Sequence, residues 1–179
     1  GHIDRVVAKA LESREPFSIL FVDVDHFKSI NDKLGHLRGD AVLREIAQCL
    51  QRSARGDDQC GRYGGEEFVV VLHGVSLDRA PAVAERHRAN IEKLRVDGLS
   101  RPVTASIGVA VFDPASPDPT VEVLYARADA AVYRAKATGR NRVVVAAAYG
   151  QRQATARDPR ARKESATRLA AKQCPGPAR

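Results

Sequence analysis

The chain has 179 residues, which is enough for one domain with a sizeable core and too few for two comfortable ones. Its formal charge of +7 suggests nucleic-acid binding until the charge is divided along the chain: residues 1–150 hold 21 Lys and Arg against 20 Asp and Glu, whereas residues 151–179 hold 8 against 2. Because the excess belongs to the C-terminal segment, a nucleic-acid binder is the weakest functional class, and no specific nucleic acid is expected as a partner.

Composition divides the chain into a domain at 1–148 and a tail at 149–179. The tail is rich in Arg, Ala, Gln and Pro and has no apolar periodicity, which predicts disorder. Its basic charge could contact acidic lipid or nucleic acid, although simple solvation is the favoured interpretation.

The spacing of the cysteines and the hydropathy of the chain indicate the cellular compartment of the domain. The three cysteines, Cys49, Cys60 and Cys174, are odd in number and widely spaced, which is typical of neither a disulfide framework nor a zinc site. No apolar run approaches the roughly 18 residues that span a bilayer, and there is no signal peptide. We expect a cytoplasmic domain, and because the chain begins without Met, a piece of a longer protein that upstream segments could anchor to a membrane.

Apolar spacing and turn residues predict the elements in chain order. They are a helix at 3–11, a strand at 17–22, a short helical turn at 26–32, a helix starting near 39–40, strands at 59–63 and 68–73, a helix at 77–95 capped by Ser76, a strand at 103–111, a Pro-rich loop at 113–119, a helix at 120–137 and a strand at 142–146. This order predicts an α+β fold with a ferredoxin-like, palm-type βαββαβ core, extra elements, and a central, mainly antiparallel sheet flanked by helices.

One acidic cluster follows a predicted apolar strand, and a second acidic cluster precedes another. Asp23-Val24-Asp25 ends the first strand, and Gly64-Gly65-Glu66-Glu67 forms a turn before another. The glycines can take positive φ and let an anionic ligand approach the main chain. An ordinary hairpin with a solvated acidic tip is the alternative interpretation of this turn taken alone.

If those two strands are neighbours, Asp23 and one or both of Glu66 and Glu67 converge as a hard oxygen site. Carboxylates with a main-chain carbonyl suit Mg²⁺ or Mn²⁺, which keep substrate phosphates among their ligands. Lys28 follows Asp23 by five residues, within reach of the same pocket.

Two further cations come near the end of the last predicted helix. Lys136 and Arg140 are four residues apart, which predicts that they share a helix face and point at phosphate together. Favourable placement at a helix C-terminus is an equal alternative.

Four motifs in series carry a family resemblance. They are Asp23-Val24-Asp25-His26-Phe27-Lys28-Ser29-Ile30-Asn31-Asp32, then Gly35-His36 with Gly39-Asp40, then Arg62-Tyr63-Gly64-Gly65-Glu66-Glu67-Phe68, and then Ala128-Asp129 to Tyr133-Lys136 with Gly139-Arg140-Asn141. In this order and spacing the chain resembles the GGDEF domain of bacterial diguanylate cyclases over about residues 1–145.

The resemblance implies a role for each matching residue. Metal binding is implied for Asp23, the Val24 carbonyl, Glu66 and Glu67, with two Mg²⁺ or Mn²⁺ ions per active site. Glu66 is also the candidate base for the 3′-hydroxyl of GTP, and Glu67 would assist at the metal or the hydroxyl. Substrate binding is implied for Gly64, Gly65, Asn31, Asp40, His36, Lys28, Lys136 and Arg140.

The chemistry of these residues fits the implied roles. Asn31 and Asp40 match guanine-recognising positions, and a carboxylate can accept hydrogen bonds from N1–H and the 2-amino group, which adenine cannot supply. Lys28 matches a phosphate contact that would stabilise transition-state charge. His36 matches a position near the nucleotide, with a structural turn histidine as the alternative.

A second site is implied by Arg55-Gly56-Asp57-Asp58, which five residues separate from Gly64. Its Arg-x-x-Asp pattern matches the family's inhibitory site for the product, where Arg55 would clamp phosphate or stack on guanine and Asp58 would accept from the base. Arg86 would complete this site. An exposed loop ion pair is the alternative.

The resemblance predicts an enzyme that condenses two GTP into cyclic di-GMP and two pyrophosphates, is inhibited by its product, and works as a homodimer because each chain supplies half of a symmetric site. The family's Asp-x-Leu-Thr opening turn precedes the point at which this chain starts, and we expect an upstream sensory or dimerising domain. The alternatives are a non-catalytic module that binds GTP or cyclic di-GMP, and another nucleotidyl cyclase or palm-like polymerase with two-metal chemistry.

Overall fold

The computed structural model describes residues 2–112 and 120–147. Its elements are α1 (His2–Ser13), β1 (Phe17–Val24), α2 (Phe27–Leu34), α3 (His36–Ser53), β2 (Gln59–Gly64), β3 (Glu67–His73), α4 (Ala80–Glu92), β4 (Ala105–Phe112), α5 (Val121–Ala137) and β5 (Val143–Val145). The predicted Pro-rich loop at 113–119 and the predicted tail from residue 149 lie outside the described residues. The elements belong to one compact unit that spans residues 1–146.

The sheet has the order β2-β3-β1-β4-β5. The central strand β1 pairs antiparallel with both β3 and β4, and β5 adds a parallel edge strand to β4. This arrangement confirms the predicted α+β fold with its βαββαβ core and mainly antiparallel sheet.

Both faces of the sheet are covered, so the described part of the molecule has three layers. Even-numbered residues of β1, from Leu20 to Val24, face a cluster with α2, α3 and α4. Odd-numbered residues, from Phe17 to Phe21, face a second cluster with α1 and α5. Because neighbouring side chains of a strand alternate between faces, residues at the end of β1 also divide between the two layers. In the part of the chain described here, no helix is long and apolar enough to cross a membrane.

Two predicted helix starts were wrong. The helix predicted from Gly39 begins three residues earlier, at His36, since Gly35 with φ 82° closes α2 and precedes α3. Ser76 does not cap α4: its hydroxyl donates to the Asp78 carboxylate and its carbonyl accepts from Ala80 N–H. The helix starts at Ala80, where Pro81 fits the first turn, and it ends at Glu92, before the predicted Arg95.

Candidate active site

The end of β1 lies beside the glycine hairpin, so the condition under which the two acidic clusters converge is met. Asp23 pairs in register with Glu67, and the N–H of Val24 donates to the Glu66 carbonyl at 3.3 Å. The two acidic clusters, about forty residues apart in the sequence, therefore meet at one edge of the sheet.

The hairpin turns at one glycine. Gly65 has φ 48°, in the left-handed region that favours glycine, whereas Gly64 stays within β2 without a positive φ. Of the two glycines that could take a positive φ, Gly65 does and Gly64 does not. The Nε–H of Arg62 donates to the Gly65 carbonyl at 2.8 Å and closes the turn from the strand side.

The adjacent carboxylates of the hairpin face different layers. Glu67 has the same parity as Val69 and Val71, whose side chains pack toward α1 and α5, and it shares that face with Asp23. Glu66 instead lines a cleft toward α2 and α3. The pair therefore presents one carboxylate to each side of the sheet edge.

The cleft has a volume of about 540 Å³. Its lining residues are Phe27, Lys28, Asn31, Asp32, His36, Asp40, Arg62, Gly65 and Glu66. Six of them were candidate site residues from the sequence: Lys28, Asn31, His36, Asp40, Gly65 and Glu66. No role was predicted from the sequence for Phe27, Asp32 or Arg62. Helical spacing could have indicated Asp32, since it follows Lys28 by four residues on α2.

Asn31 is held in the cleft by a close approach between α2 and α3. A Cβ atom on Gly39 would lie 1.8 Å from Asn31 Oδ1 and 3.3 Å from the ring of Phe27, so no larger residue fits there without displacing the amide. Asn31 Oδ1 is buried and has no hydrogen-bond partner among the residues described. A buried acceptor without a partner is costly, so the packing against Gly39 must compensate for holding the Asn31 amide in this position at the wall of the cleft.

Asp23 is buried at the end of β1 and forms an ion pair with α5. Lys136 Nζ lies 2.7 Å from Asp23 Oδ2, and the two side chains are 34% and 9% exposed. Burial raises the pKa of Asp23 above its ordinary value, and the hydrogen bond and positive charge of Lys136 partly offset that rise.

The other oxygen of Asp23 is the atom that fits a cation. Asp23 Oδ1 is buried and has no hydrogen-bond partner among the described residues, and Glu66 is close enough to raise the pKa of Asp23. Within 2–112 and 120–147, no three His, Cys, Asp or Glu side chains group as a metal cage. A site made by Asp23, Glu66 and the Val24 carbonyl would need phosphate or water as further ligands, which is how Mg²⁺ usually binds.

The position of Lys136 depends on close packing of α5 against β4. A Cβ atom on Gly108 would lie 2.1 Å from the Ala128 carbonyl and 2.8 Å from Val132 N, so the helix rests directly on the strand backbone. This approach brings the last turn of α5 over the end of β1.

Arg140 lies beyond the helix, which corrects one expectation. Because α5 ends at Ala137, Lys136 and Arg140 do not share a helix face. Gly139 has φ 123° and Arg140 has φ 62°, and Arg140 N–H folds back to donate to the Ala135 carbonyl at 2.9 Å. The Arg140 side chain is exposed on this turn.

Asp25 has a role that the sequence analysis did not assign. It is buried, and its carboxylate accepts from the hydroxyls of Thr104 at 2.8 Å and Ser106 at 2.7 Å and from Asn141 N–H at 3.0 Å. Three donors from two other segments make it a structural neighbour of Asp23, and no signal in the local sequence distinguished the two.

The predicted inhibitory residues lie at the other end of β2. Arg55 N–H donates to Asp58 Oδ2 at 2.9 Å, so the observed contact comes from the Arg55 backbone. Arg86 on α4 donates to the Ser53 carbonyl at 3.1 Å, close to that loop. Six residues of strand separate Asp58 from the hairpin, which is a distance of about 20 Å.

Comparison with known proteins agrees with this arrangement. Residues 1–142 match the family model described as "Diguanylate cyclase, GGDEF domain". Over 138 residues the chain is 46% identical to diguanylate cyclase A of Treponema denticola, covering 75% of this chain and 36% of that protein. The chain thus spans about a third of the length of the curated relatives it matches.

Comparison with solved structures likewise finds GGDEF domains. The active GGEEF domain of a diguanylate cyclase from Vibrio cholerae matches with a TM-score of 0.72 at 33% identity, over 80% of this chain and 91% of that one. The GGDEF domain of DgcB from Caulobacter crescentus, solved in complex with c-di-GMP, matches with a TM-score of 0.69 at 33% identity, over 80% and 85% of the two chains. The chain belongs to the GGDEF domain family of diguanylate cyclases.

Proposed function

We propose that the chain condenses two molecules of GTP into cyclic di-GMP and two pyrophosphates. The observation that carries the proposal is the cleft, which joins Lys28, Asn31 and Asp40 on one side to Glu66 of the hairpin on the other. A guanine-recognising pair, a cation and a candidate base in one cleft suit a guanine nucleotide better than any other ligand class considered.

The base of GTP would bind between α2 and α3. Asp40 would accept from guanine N1–H and the 2-amino group, and the amide of Asn31, which also lines the cleft, would contribute a further hydrogen bond. His36 also lines the cleft. Adenine lacks these donors, so the site would discriminate against ATP.

The phosphates would lie over the hairpin. The glycines at 64 and 65 allow close approach of the main chain, Lys28 would stabilise the charge that develops on the α-phosphate, and Lys136 and Arg140 would bind phosphate from the α5 end. Asp23, the Val24 carbonyl, Glu66 and Glu67 would hold two Mg²⁺ or Mn²⁺ ions. When bound, these ions would neutralise the triphosphate and lower the pKa of the attacking hydroxyl.

Glu66 would accept the proton of the GTP 3′-hydroxyl. The 3′-oxygen then forms a bond to the α-phosphorus of the second GTP while the bond to pyrophosphate breaks, and the reverse pairing closes the ring. A cleft of about 540 Å³ is the size of a site for one nucleotide. Two chains would therefore face each other, each with one GTP.

Product inhibition is proposed at Arg55, Asp58 and Arg86. Because this loop lies about 20 Å from the hairpin, cyclic di-GMP bound there would not compete directly with GTP. Arg55 and Arg86 supply the cations for its phosphates, and Asp58 the acceptor for its base.

The test is incubation of the purified chain with GTP and Mg²⁺ at several protein concentrations, followed by chromatography of the nucleotides. We expect cyclic di-GMP at a rate that rises faster than linearly with protein, since two chains form one site. GTP binding without any product would support the non-catalytic binding module instead. ATP serves as the control substrate and should give no cyclic product.

A further inference from the structure

The turn that follows α5 is strained at two consecutive residues. Arg140 has φ 62° and Asn141 has φ 45°, both in the left-handed region that residues with a Cβ rarely adopt. Strain of this kind persists only where surrounding contacts fix it, and it commonly marks a functional position. Arg140 is a proposed phosphate contact. The contacts that fix the backbone of this turn therefore also determine the position of the Arg140 guanidinium.

One side of the turn is held by the end of β1. Asn141 N–H donates to Asp25 Oδ2 at 3.0 Å, and Asp25 is fixed in turn by the hydroxyls of Thr104 and Ser106. Asp25 lies two residues after Asp23, the proposed metal ligand. The backbone of the turn is therefore tied to the same strand end as the reaction site.

The other side is held by α4 through the Asn141 side chain. Its Oδ1 accepts from Arg88 Nη1 at 2.6 Å, and its Nδ2 donates to Glu92 Oε1 at 2.8 Å. Arg88, whose side chain is 13% exposed, also pairs with Glu92 at 2.7 Å. An amide is required at this position, because one atom must accept from a cation while the other donates to a carboxylate.

We infer that Asn141 is a positioning residue for the phosphate-binding end of the active site. It bridges α4 and the end of β1, and it thereby fixes Arg140 and the last turn of α5, with Lys136, relative to Asp23. This inference rests on the proposed function, since it concerns how tightly the triphosphate of GTP is held.

The first experiment compares Asn141→Ala with Asn90→Ala. Asn90 is a matched control on α4, because its amide donates to the Ser53 hydroxyl at 2.9 Å and bridges to α3, away from the turn. Thermal stability, kcat and KM for GTP, and amide hydrogen exchange over residues 138–142 are measured for both. We expect a rise in KM of at least about tenfold and faster exchange in the turn for Asn141→Ala alone. Asn141→Ala should also lose more stability than Asn90→Ala, because alanine tolerates the φ of 45° poorly but favours the helix in which Asn90 lies.

A second pair of variants separates positioning from simple loss of packing. Asn141→Asp places a carboxylate against Glu92 and should also raise KM. The double variant Asn141→Asp/Glu92→Gln restores complementarity, since the new carboxylate can accept from Arg88 and from the new amide, and it should recover most of the lost affinity. If Asn141 only stabilised the fold, the double variant would recover stability without recovering KM.

The outcomes are distinguishable from failure of the proposed function. If the unmodified chain makes no cyclic di-GMP, the proposed function fails, and the affinity for GTP with Mg²⁺ replaces KM in the comparison. If Asn141→Ala and Asn90→Ala change GTP affinity equally, or if exchange in the turn is unchanged by Asn141→Ala, the positioning role is overturned.

Discussion

Lys136 Nζ lies 2.7 Å from Asp23 Oδ2 and joins the end of α5 to the end of β1. Lys136, a candidate phosphate-binding residue, therefore forms an ion pair with Asp23, a proposed metal ligand. This ion pair was not predicted from the sequence. The ammonium group supplies the positive charge that a buried carboxylate needs. We expect Lys136 to stabilise the domain in the absence of metal and to share Asp23 with the cation during turnover.

Lys136→Ala should lower the free energy of unfolding by about 1–2 kcal/mol at pH 7, because it leaves Asp23 buried without its partner; the partial exposure of Lys136 keeps the loss below that of a fully buried pair. Urea denaturation measures the effect. Lys93→Ala is the control, since Lys93 is exposed at the C-cap of α4 and should change stability by less than about 0.5 kcal/mol. Equal losses in the two variants would contradict a stabilising ion pair.

Gly39→Ala should raise the KM for GTP by about tenfold, because the added methyl group must displace the Asn31 amide from the cleft and at least one hydrogen bond to guanine is lost. Steady-state kinetics measure it. An alanine in a helix interior is ordinarily stabilising by about 0.5–1 kcal/mol, so weaker GTP binding cannot be ascribed to helix propensity.

A double-mutant cycle tests whether Gly39→Ala changes the KM for GTP through Asn31. If Gly39→Ala acts by displacing Asn31, the double variant with Asn31→Ala should be no worse than Asn31→Ala alone. Additive effects of the two substitutions would show that Gly39 acts through another contact.

Arg55→Ala should raise the concentration of cyclic di-GMP needed for half-inhibition by more than about tenfold, since a charged contact to phosphate is lost. The initial rate should change little, because the loop lies about 20 Å from the hairpin. Progress curves with added product measure both quantities. Arg52→Ala, an exposed arginine in the last turn of α3, is the control. Unchanged inhibition in Arg55→Ala would leave Arg55-Gly56-Asp57-Asp58 as an ordinary loop.

His87 should make the domain acid-sensitive. It is fully buried on α4, its ring nitrogens have no hydrogen-bond partner among the described residues, and burial together with nearby Arg86 lowers its pKa to about 4, against a smaller opposing effect of Asp58. As the pH falls below 6.5, the unfolded chain binds this proton before the folded chain does. The free energy of unfolding should therefore fall by up to about 3 kcal/mol between pH 6.5 and pH 4 from this group, and no further below pH 4.

His87→Leu tests the assignment by urea denaturation across that pH range. The variant should lose the part of the pH dependence that belongs to His87, whereas His36→Gln, at an exposed position, should keep it. Identical pH profiles for the unmodified chain and His87→Leu would rule out His87 as the source.

Much of the fold followed from local patterns. The apolar run at 17–22 predicted a strand, and β1 is that strand, buried along its whole length. The start of α3 was misplaced because Gly39 resembles a helix boundary. Its physical role is instead to leave room for Asn31, a tertiary requirement that propensity does not contain.

Most residues of the cleft could also be predicted, because they belong to the motifs recognised in the sequence. The distances between helices and strands could not be predicted in this way. The Lys136 contact with Asp23 depends on how closely α5 rests on Gly108, which no local pattern reveals. The prediction that Arg140 shares a helix face with Lys136 was avoidable, since the helix was itself predicted to end at residue 137, three residues before Arg140.

The most direct test compares the unmodified chain with Glu66→Gln for GTP binding and product formation in the presence of Mg²⁺. We expect the variant to fold, with an unchanged melting temperature, but to make cyclic di-GMP at least about a hundredfold more slowly, since a proposed metal ligand and candidate base are lost. Glu45→Gln, at an exposed position of α3, should behave as the unmodified chain. Turnover of Glu66→Gln at the unmodified rate would show that Glu66 is neither a metal ligand nor the base of the reaction.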